Sequence, residues 1–253
     1  MKNLLVLYPH GLGDCILLTP ALREFYERTG YKCHVAILER FKSSKIFDNC
    51  PYVENIFYTK DAWHDYPNSH VGFASLYADW KSFATTQQYK GIVMPMHSQP
   101  VSKIEINARS MGIRKLANPH TEIFTTEKDR KEAKKIIKVL VGDKKFGFVQ
   151  TAAGHDVKSL PADYGRLWLK ENKKLDKVIE IGKNLDPFSC NINVQFEILR
   201  QATGVCLPDS VFYHACHAMD KPVDFAYFAR GVNVYNRVKP LHPVKENITY
   251  TLN

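Results

Sequence analysis

The chain of 253 residues carries 35 Lys and Arg against 26 Asp and Glu, a formal charge of +9 with a pI near 9.1, and is 45% hydrophobic. That balance excludes a disordered chain, and no apolar run in it approaches the roughly 20 residues of a membrane helix. An excess of cations attracts phosphate, whether in nucleotides, nucleic acid or an anionic membrane or glycan surface, without choosing among them.

In chain order, Lys2–Tyr8 reads as a buried strand rather than a leader, because the apolar Leu4–Leu7 meets His10-Gly11 at once. The turn Pro9–Gly13 follows, then a helix with Leu18, Ala21, Leu22 and Phe25 on one face. Thr19-Pro20 reads either as cap and first residue of that helix or as a kink in one that begins near Asp14. His34–Leu38 and Asn55–Tyr58 are expected strands, with a helical turn around Arg40–Phe47 between them and another strand at Gly91–Met94. This alternation predicts a parallel, doubly wound sheet. Two aromatic stretches, Trp63–Tyr66 and Tyr77–Trp80, read as loops. Lys128–Lys145 holds eight Lys or Arg, but Ala133, Ile136, Ile137 and Leu140 recur at helical spacing, so it reads as a helix with one solvated basic face.

A second α/β unit is expected beyond that helix. Its strands are Phe146–Gln150, Lys177–Ile181, Gly204–Leu207 and Pro222–Tyr227; its helices are Val194–Ala202 and Asp209–Met219, with a polar loop at Thr151–Pro161. The expected domains are 1–143 and 144–253, two Rossmann-like units facing a cleft, the second smaller. The six cysteines form no Cys-x-x-Cys pair, which points to a reducing compartment. The expected location is the cytoplasm, at the inner membrane face in a peripheral role, or a host cytoplasm for a phage protein.

The turn His10-Gly11-Leu12-Gly13-Asp14 lies at a strand end, where open α/β sheets bind ligands. Its two glycines allow close backbone approach or positive φ, but a third glycine and a following acidic partner are missing, so it is no dinucleotide fingerprint. Asp209 and Ser210 open a helix, whose N-terminus suits an anion, while Asp209 also reads as an N-cap. Glu180 ends a strand and suits a ribose hydroxyl. His214 and His217 stand three apart on one helix, yet without further ligands they make no metal frame.

Gly11-Leu12-Gly13-Asp14 followed by Leu17-Leu18-Thr19-Pro20-Ala21-Leu22 resembles the N-terminal motif of the heptosyltransferases, glycosyltransferase family 9. Gln150-Thr151-Ala152 to Lys158 resembles that family's strand, polar loop and lysine. Leu207-Pro208-Asp209-Ser210 with His214, Ala215 and Ala218 resembles its Asp-Ser/Thr-Gly-x-x-His-x-x-Ala helix start. Val211 stands where the family has glycine, and the chain is shorter than typical members. The resemblance implies a GT-B fold, with acceptor on the first unit and nucleotide diphosphate sugar on the second, and inverting transfer without a metal or other cofactor. Asp14 corresponds to the base; His10, Gly11 and Gly13 form the acceptor-side turn. Lys158 corresponds to the donor-phosphate lysine, and Thr151, Glu180, Asp209, Ser210 and His214 complete the donor side. The acceptor is an anionic glycan such as lipopolysaccharide core. The alternatives are a hydroxymethylated base in DNA, which the charge and the aromatic stretches permit, or a nucleotide-binding module without catalysis.

Overall fold

Lys2–Tyr8 forms the parallel strand β1, with Leu4, Leu5, Val6, Leu7 and Tyr8 all buried, as a strand covered on both faces requires. The computed structural model describes residues 2–63, 65, 68–96, 101–151, 159–161, 163–185, 191–228, 231–242 and 245–250. Helix α1 (Leu12–Thr29) runs unbroken through Pro20, which settles the two readings of Thr19-Pro20 in favour of an internal proline. Proline removes the N–H that would bond the carbonyl four residues back. Here the Thr19 hydroxyl donates to that carbonyl, Ile16 O, at 2.8 Å, so the acceptor is not left empty. The helix stops at Gly30, which takes the left-handed conformation at φ 71.

Strands β2 (Cys33–Leu38) and β3 (Val53–Thr59) follow, separated by a 3₁₀ turn at Glu39–Ser44. Helix α2 (Ser69–Thr86) then leads to β4 (Tyr89–Val93), and α3 (Lys103–Ser110) comes next. The stretch Tyr77–Trp80, expected as an aromatic loop, is therefore the middle of α2. Phe73, Leu76 and Ala84 are buried on one face of that helix, and Trp80 donates to Thr59 Oγ1 at 2.9 Å while packing on Phe57 and Phe83. Trp80 is thus a packing residue, which removes it from the aromatics offered for base stacking. All pairings in this sheet are parallel and the order is β3-β2-β1-β4.

The basic stretch forms α4 (Glu127–Val141), started by a reciprocal capping box between Thr126 and Asp129. Ala133, Ile137 and Val141 are buried, whereas Lys128, Lys131, Lys134 and Lys135 lie in solvent, as the periodicity predicts. The second sheet comprises β5 (Gly147–Gln150), β6 (Val178–Ile181), β7 (Gly204–Pro208), β8 (Val223–Phe228) and β9 (Glu246–Tyr250), in the parallel order β6-β5-β7-β8-β9. Its helices are α5 (Tyr164–Lys173), α6 (Ile192–Gln201), α7 (Val211–Ala218) and α8 (Gly231–Val238). With five strands against four among the described residues, the second sheet is not the smaller one. Strand β9 escaped the sequence because Glu246–Tyr250 mixes charged and polar residues at a sheet edge. Helix α4, which precedes residue 144, packs on α6 and β6 of this second sheet.

Both sheets reverse winding direction once. In the first, the reversal falls at β1, between β2 and β4; in the second, it falls between β5 and β7. Crevices open at the carboxyl ends of strands at such switch points. Helix α1 packs against α7, and one apolar core runs through both units, joining Leu12, Ile16 and Leu17 with Phe212, Tyr213 and Ala215. The loops that leave the two switch points therefore meet. Among the described residues no helix is long and apolar enough to cross a membrane. Cys15, Cys33, Cys50, Cys206 and Cys216 are buried and free.

Candidate functional site

The site starts at Gly11, which caps α1 with extended backbone (φ −62), so this glycine is not needed for a left-handed turn. Gly13 has a different purpose. A β-carbon placed there would lie 2.6 Å from Cδ2 of His214 and 3.3 Å from the Val211 backbone. The glycine thus lets α1 touch α7, and the two units approach through this contact. Asp14 sits in the first turn of α1 but does not cap it; its Oδ1 accepts from Lys103 Nζ at 2.6 Å, with both side chains largely shielded from solvent. Sequence reading missed Lys103. It lies 89 residues from Asp14 and carries no local signal; only the packing of α3 on α1 brings it in.

A buried polar frame fixes this pair. Tyr8 donates its hydroxyl to the Asp14 carbonyl at 3.0 Å, and Asn107 on α3 donates to the Tyr8 hydroxyl at 3.1 Å and to Leu17 O at 3.0 Å. Burial, reinforced by the nearby Asp14 carboxylate, pushes the Tyr8 phenol well above its ordinary range, so it remains a donor. His10 faces inward: its Nε2 donates to Pro95 O at 2.6 Å, and its ring meets Tyr8 edge-on. It ties the β1 loop to the segment after β4. Beside this edge, a depression of about 290 Å³ is lined by Leu38, Arg40, Thr59, Lys60 and Asp61, where β2 and β3 end.

On the facing unit, Ser210 is the N-cap residue of α7 and Asp209 precedes it, so Asp209 is not the cap. The Ser210 side chain does not cap either, and its Oγ is buried without a hydrogen-bond partner among the described residues. The first amides of the helix, from Val211 to Tyr213, have no acceptor in its own ladder. His214 is buried and its Nδ1 likewise has no partner among the described residues; its Nε2 lies 3.8 Å from Asp209 Oδ1, too long for a hydrogen bond. Burial lowers the His214 pKa to about 4, outweighing the opposite pull of Asp209 and Asp14, so the ring is neutral at neutral pH. His217, three residues on, points elsewhere, 3.3 Å from Glu246 Oε2. Glu246 also accepts from Tyr213 at 2.8 Å and Tyr235 at 2.5 Å.

One strand over, Thr151 donates to Glu180 Oε1 at 2.7 Å, and Lys183 approaches Glu180 Oε2 at 3.1 Å and Asp163 Oδ1 at 3.2 Å. Because Gln150 pairs with Ile181 and Val149 with Cys206, Thr151, Glu180 and Asp209 stand along one carboxyl edge of the sheet. Lys158 lies outside the described residues. The fold therefore brings Gly13, Asp14, Asp209, Ser210 and His214 to the contact of the two units, adds Lys103, keeps Thr151 and Glu180 on the adjoining edge, and turns His10 into the interior.

By sequence the chain matches no protein-family model and none of the curated proteins. By structure it matches a glycosyltransferase family 9 protein from Veillonella parvula with a TM-score of 0.64 at 12% identity, covering 100% of this chain and 88% of that one. It also matches the E. coli ADP-heptose lipopolysaccharide heptosyltransferase II (TM-score 0.67, 11% identity, 98% and 90% covered). The E. coli heptosyltransferase WaaC with ADP gives 0.59 at 13% identity, with 99% and 94% covered. The two parallel sheets thus have the GT-B-like arrangement of the heptosyltransferase structures.

Proposed function

We propose that this chain is an inverting glycosyltransferase that moves a sugar from a nucleoside diphosphate to an acceptor hydroxyl. The observation that carries the reading is the meeting of the two switch points, with a carboxylate, Asp14, on one side and the N-terminus of α7 on the other. The acceptor oxygen attacks the anomeric carbon, its proton passes to the Asp14 carboxylate, and the bond from that carbon to the diphosphate oxygen breaks. The departing diphosphate gathers negative charge, which the free amides and dipole of α7 favour. The ammonium of Lys158 adds to this as the donor-phosphate lysine.

Lys103 holds the Asp14 carboxylate in place in the resting protein through a 2.6 Å ion pair. Thr151 and Glu180 suit the nucleoside end of the donor, and Ser210 and His214 offer unfilled hydrogen-bonding atoms nearer the transferred sugar. One solved protein of this fold is named an ADP-heptose lipopolysaccharide heptosyltransferase, which makes ADP-heptose the first donor to try. The net charge of +9 suits an anionic acceptor, a bacterial glycan such as lipopolysaccharide core. In this reading the reaction uses no metal: Asp14, Asp209 and Asp220 stand singly in the sequence, without the paired aspartates that hold magnesium on a diphosphate. A panel of nucleotide sugars, read by mass spectrometry for binding and slow hydrolysis, decides the matter. Binding of one donor with hydrolysis lost in Asp14→Asn supports transfer; no binding across the panel ends the proposal.

A further inference from the structure

Helix α7 has a second polar cluster, at the end opposite the Asp14 contact. Asp220 follows the helix, His242 lies in the segment before β9, and His120 belongs to the loop between α3 and α4. His120 Nε2 stands 3.1 Å from Asp220 Oδ1 and His242 Nε2 stands 3.6 Å from the same oxygen; one ligand atom from each residue falls within 4.8 Å of the others. None of the three takes part in the proposed transfer.

We infer that His120, Asp220 and His242 form a site for a zinc-like divalent transition metal that ties the loop before α4 to the second sheet. Zinc binds nitrogen and carboxylate oxygen at about 2.0–2.2 Å in tetrahedral order, which sets neighbouring ligand atoms about 3.3 Å apart. The two separations, 3.1 Å (a hydrogen bond in the metal-free chain) and 3.6 Å, bracket that spacing. Two imidazoles and one carboxylate are a donor set for zinc and its first-row neighbours rather than for calcium or magnesium, which prefer all-oxygen shells. The fourth position is left to solvent, on the side where Asp220 is 68% exposed.

The surroundings hold the ligands from behind, as outer partners of metal sites do. Arg23 donates to the carbonyls of Asn118 and His120 at 2.6 and 3.1 Å, which fixes the loop that carries His120. His242 Nε2 reaches His217 O at 3.2 Å, and the other nitrogen of that ring, Nδ1, is shielded with no hydrogen-bond partner among the described residues. Ligation through Nε2 gives up the His217 carbonyl contact and leaves the ring proton on Nδ1, a tautomer open to a neutral imidazole. The two rings are stacked at 4.2 Å with 28° between their planes, so an ion seats when either ring turns about its broad χ2 torsion.

Zinc titration of the whole, metal-stripped chain by calorimetry tests the site, with cobalt(II) absorption as a second readout. One equivalent should bind and raise Tm by at least about 5 °C at a hundredfold excess over Kd. In His120→Ala and in Asp220→Asn the affinity should fall by more than the roughly 10–100-fold that losing an outer partner costs. Asp220 is exposed, so its variant keeps the fold, checked by a chelator-treated Tm equal to that of the wild type. Zinc that binds both variants as tightly as wild type lies elsewhere, and that result, like an absence of binding, overturns the site.

Discussion

The loops that leave β1 and β7 hold equivalent places, each at the switch point of its sheet, yet they are finished differently. Behind the β1 loop the polar atoms are paired: Tyr8 with the Asp14 carbonyl, Asn107 with Tyr8 and Leu17, Asp14 with Lys103. Behind the β7 loop, Ser210 Oγ and His214 Nδ1 are buried without partners among the described residues. Buried polar atoms are nearly always paired, and leaving one unpaired costs about 1–3 kcal/mol. The difference teaches a division of labour. The first loop is pre-organised around one carboxylate, while the second keeps hydrogen-bonding capacity for something that arrives from solution.

The sharpest way to break that division is Asp14→Asn. The substitution keeps the shape and the pre-organised frame and removes the proton acceptor, so turnover should drop by about 10²–10⁴-fold. Donor affinity, which belongs to the other loop, should barely move. Steady-state kinetics beside nucleotide calorimetry make the check; near-normal turnover would falsify the role of the β1 loop.

The next effect is on stability and belongs to the β7 loop. His214 has a pKa near 4 when folded and its ordinary 6.5 when unfolded, because burial disfavours the charged ring. Between those values the unfolded chain binds the extra proton, so stability is complete above about pH 6.5 and falls as pH drops toward 4. At about 1.36 kcal/mol per unit, the loss reaches about 3 kcal/mol at the lower end. Urea denaturation across this range should show the slope, and His214→Gln should flatten it. An identical slope in the variant would place the titration elsewhere.

Gly13→Ala probes the contact between the loops. Alanine gains up to about 1 kcal/mol of helix propensity over glycine. Against this stands a methyl 2.6 Å from the His214 ring and 3.3 Å from the Val211 backbone. Overpacking costs about 1–3 kcal/mol, so the clash wins and Tm falls. In a double-mutant cycle, His214→Ala should return part of the loss, the ring being removed while the backbone contact stays. Full additivity of the two changes would mean that the helices do not meet through this pair.

Much of this was legible beforehand, and the unread parts share a cause. Local chemistry announced β1, its turn, the amphipathic face of α4 and the start of α7, since apolar runs, glycines and cap residues act within a few positions. Helix α2 does carry a mark, since Phe73, Leu76, Trp80 and Phe83 recur at helical spacing, although the aromatic cluster Tyr77–Trp80 taken alone resembles a loop. Lys103, by contrast, has no mark in the sequence, because its meaning comes from a partner 89 residues away. The same holds for His120, Asp220 and His242, scattered over 122 positions and joined only by folding. The inward turn of His10 also depends on a distant carbonyl, Pro95 O. Asp14 and Ser210 were found because a motif marked them, Lys103 was missed because nothing did, and the two kinds of residue now stand in one site.

The smallest expected effect tests where the second loop's neighbourhood ends. Glu180 accepts from Thr151 and pairs with Lys183, so it is either a ligand-binding carboxylate or a strut between two strands. Glu180→Gln separates these roles because it keeps the volume and one oxygen acceptor while removing the charge. Hydrogen bonds to a charged group contribute about 1.5–3 kcal/mol. If ribose hydroxyls donate to this carboxylate, nucleotide Kd should therefore rise by about tenfold or somewhat more, with turnover at saturating donor unchanged. A strut would behave in the opposite way, with Tm falling as Lys183 and Thr151 lose their partner and Kd staying put. Calorimetry at two salt concentrations adds a control. The Lys183 contact is exposed and weakens as ions screen it, whereas a ribose bond to a buried carboxylate persists. A variant with unchanged Kd at both salts would remove Glu180 from the donor side and confine the open half of the site to Ser210, His214 and the first turn of α7.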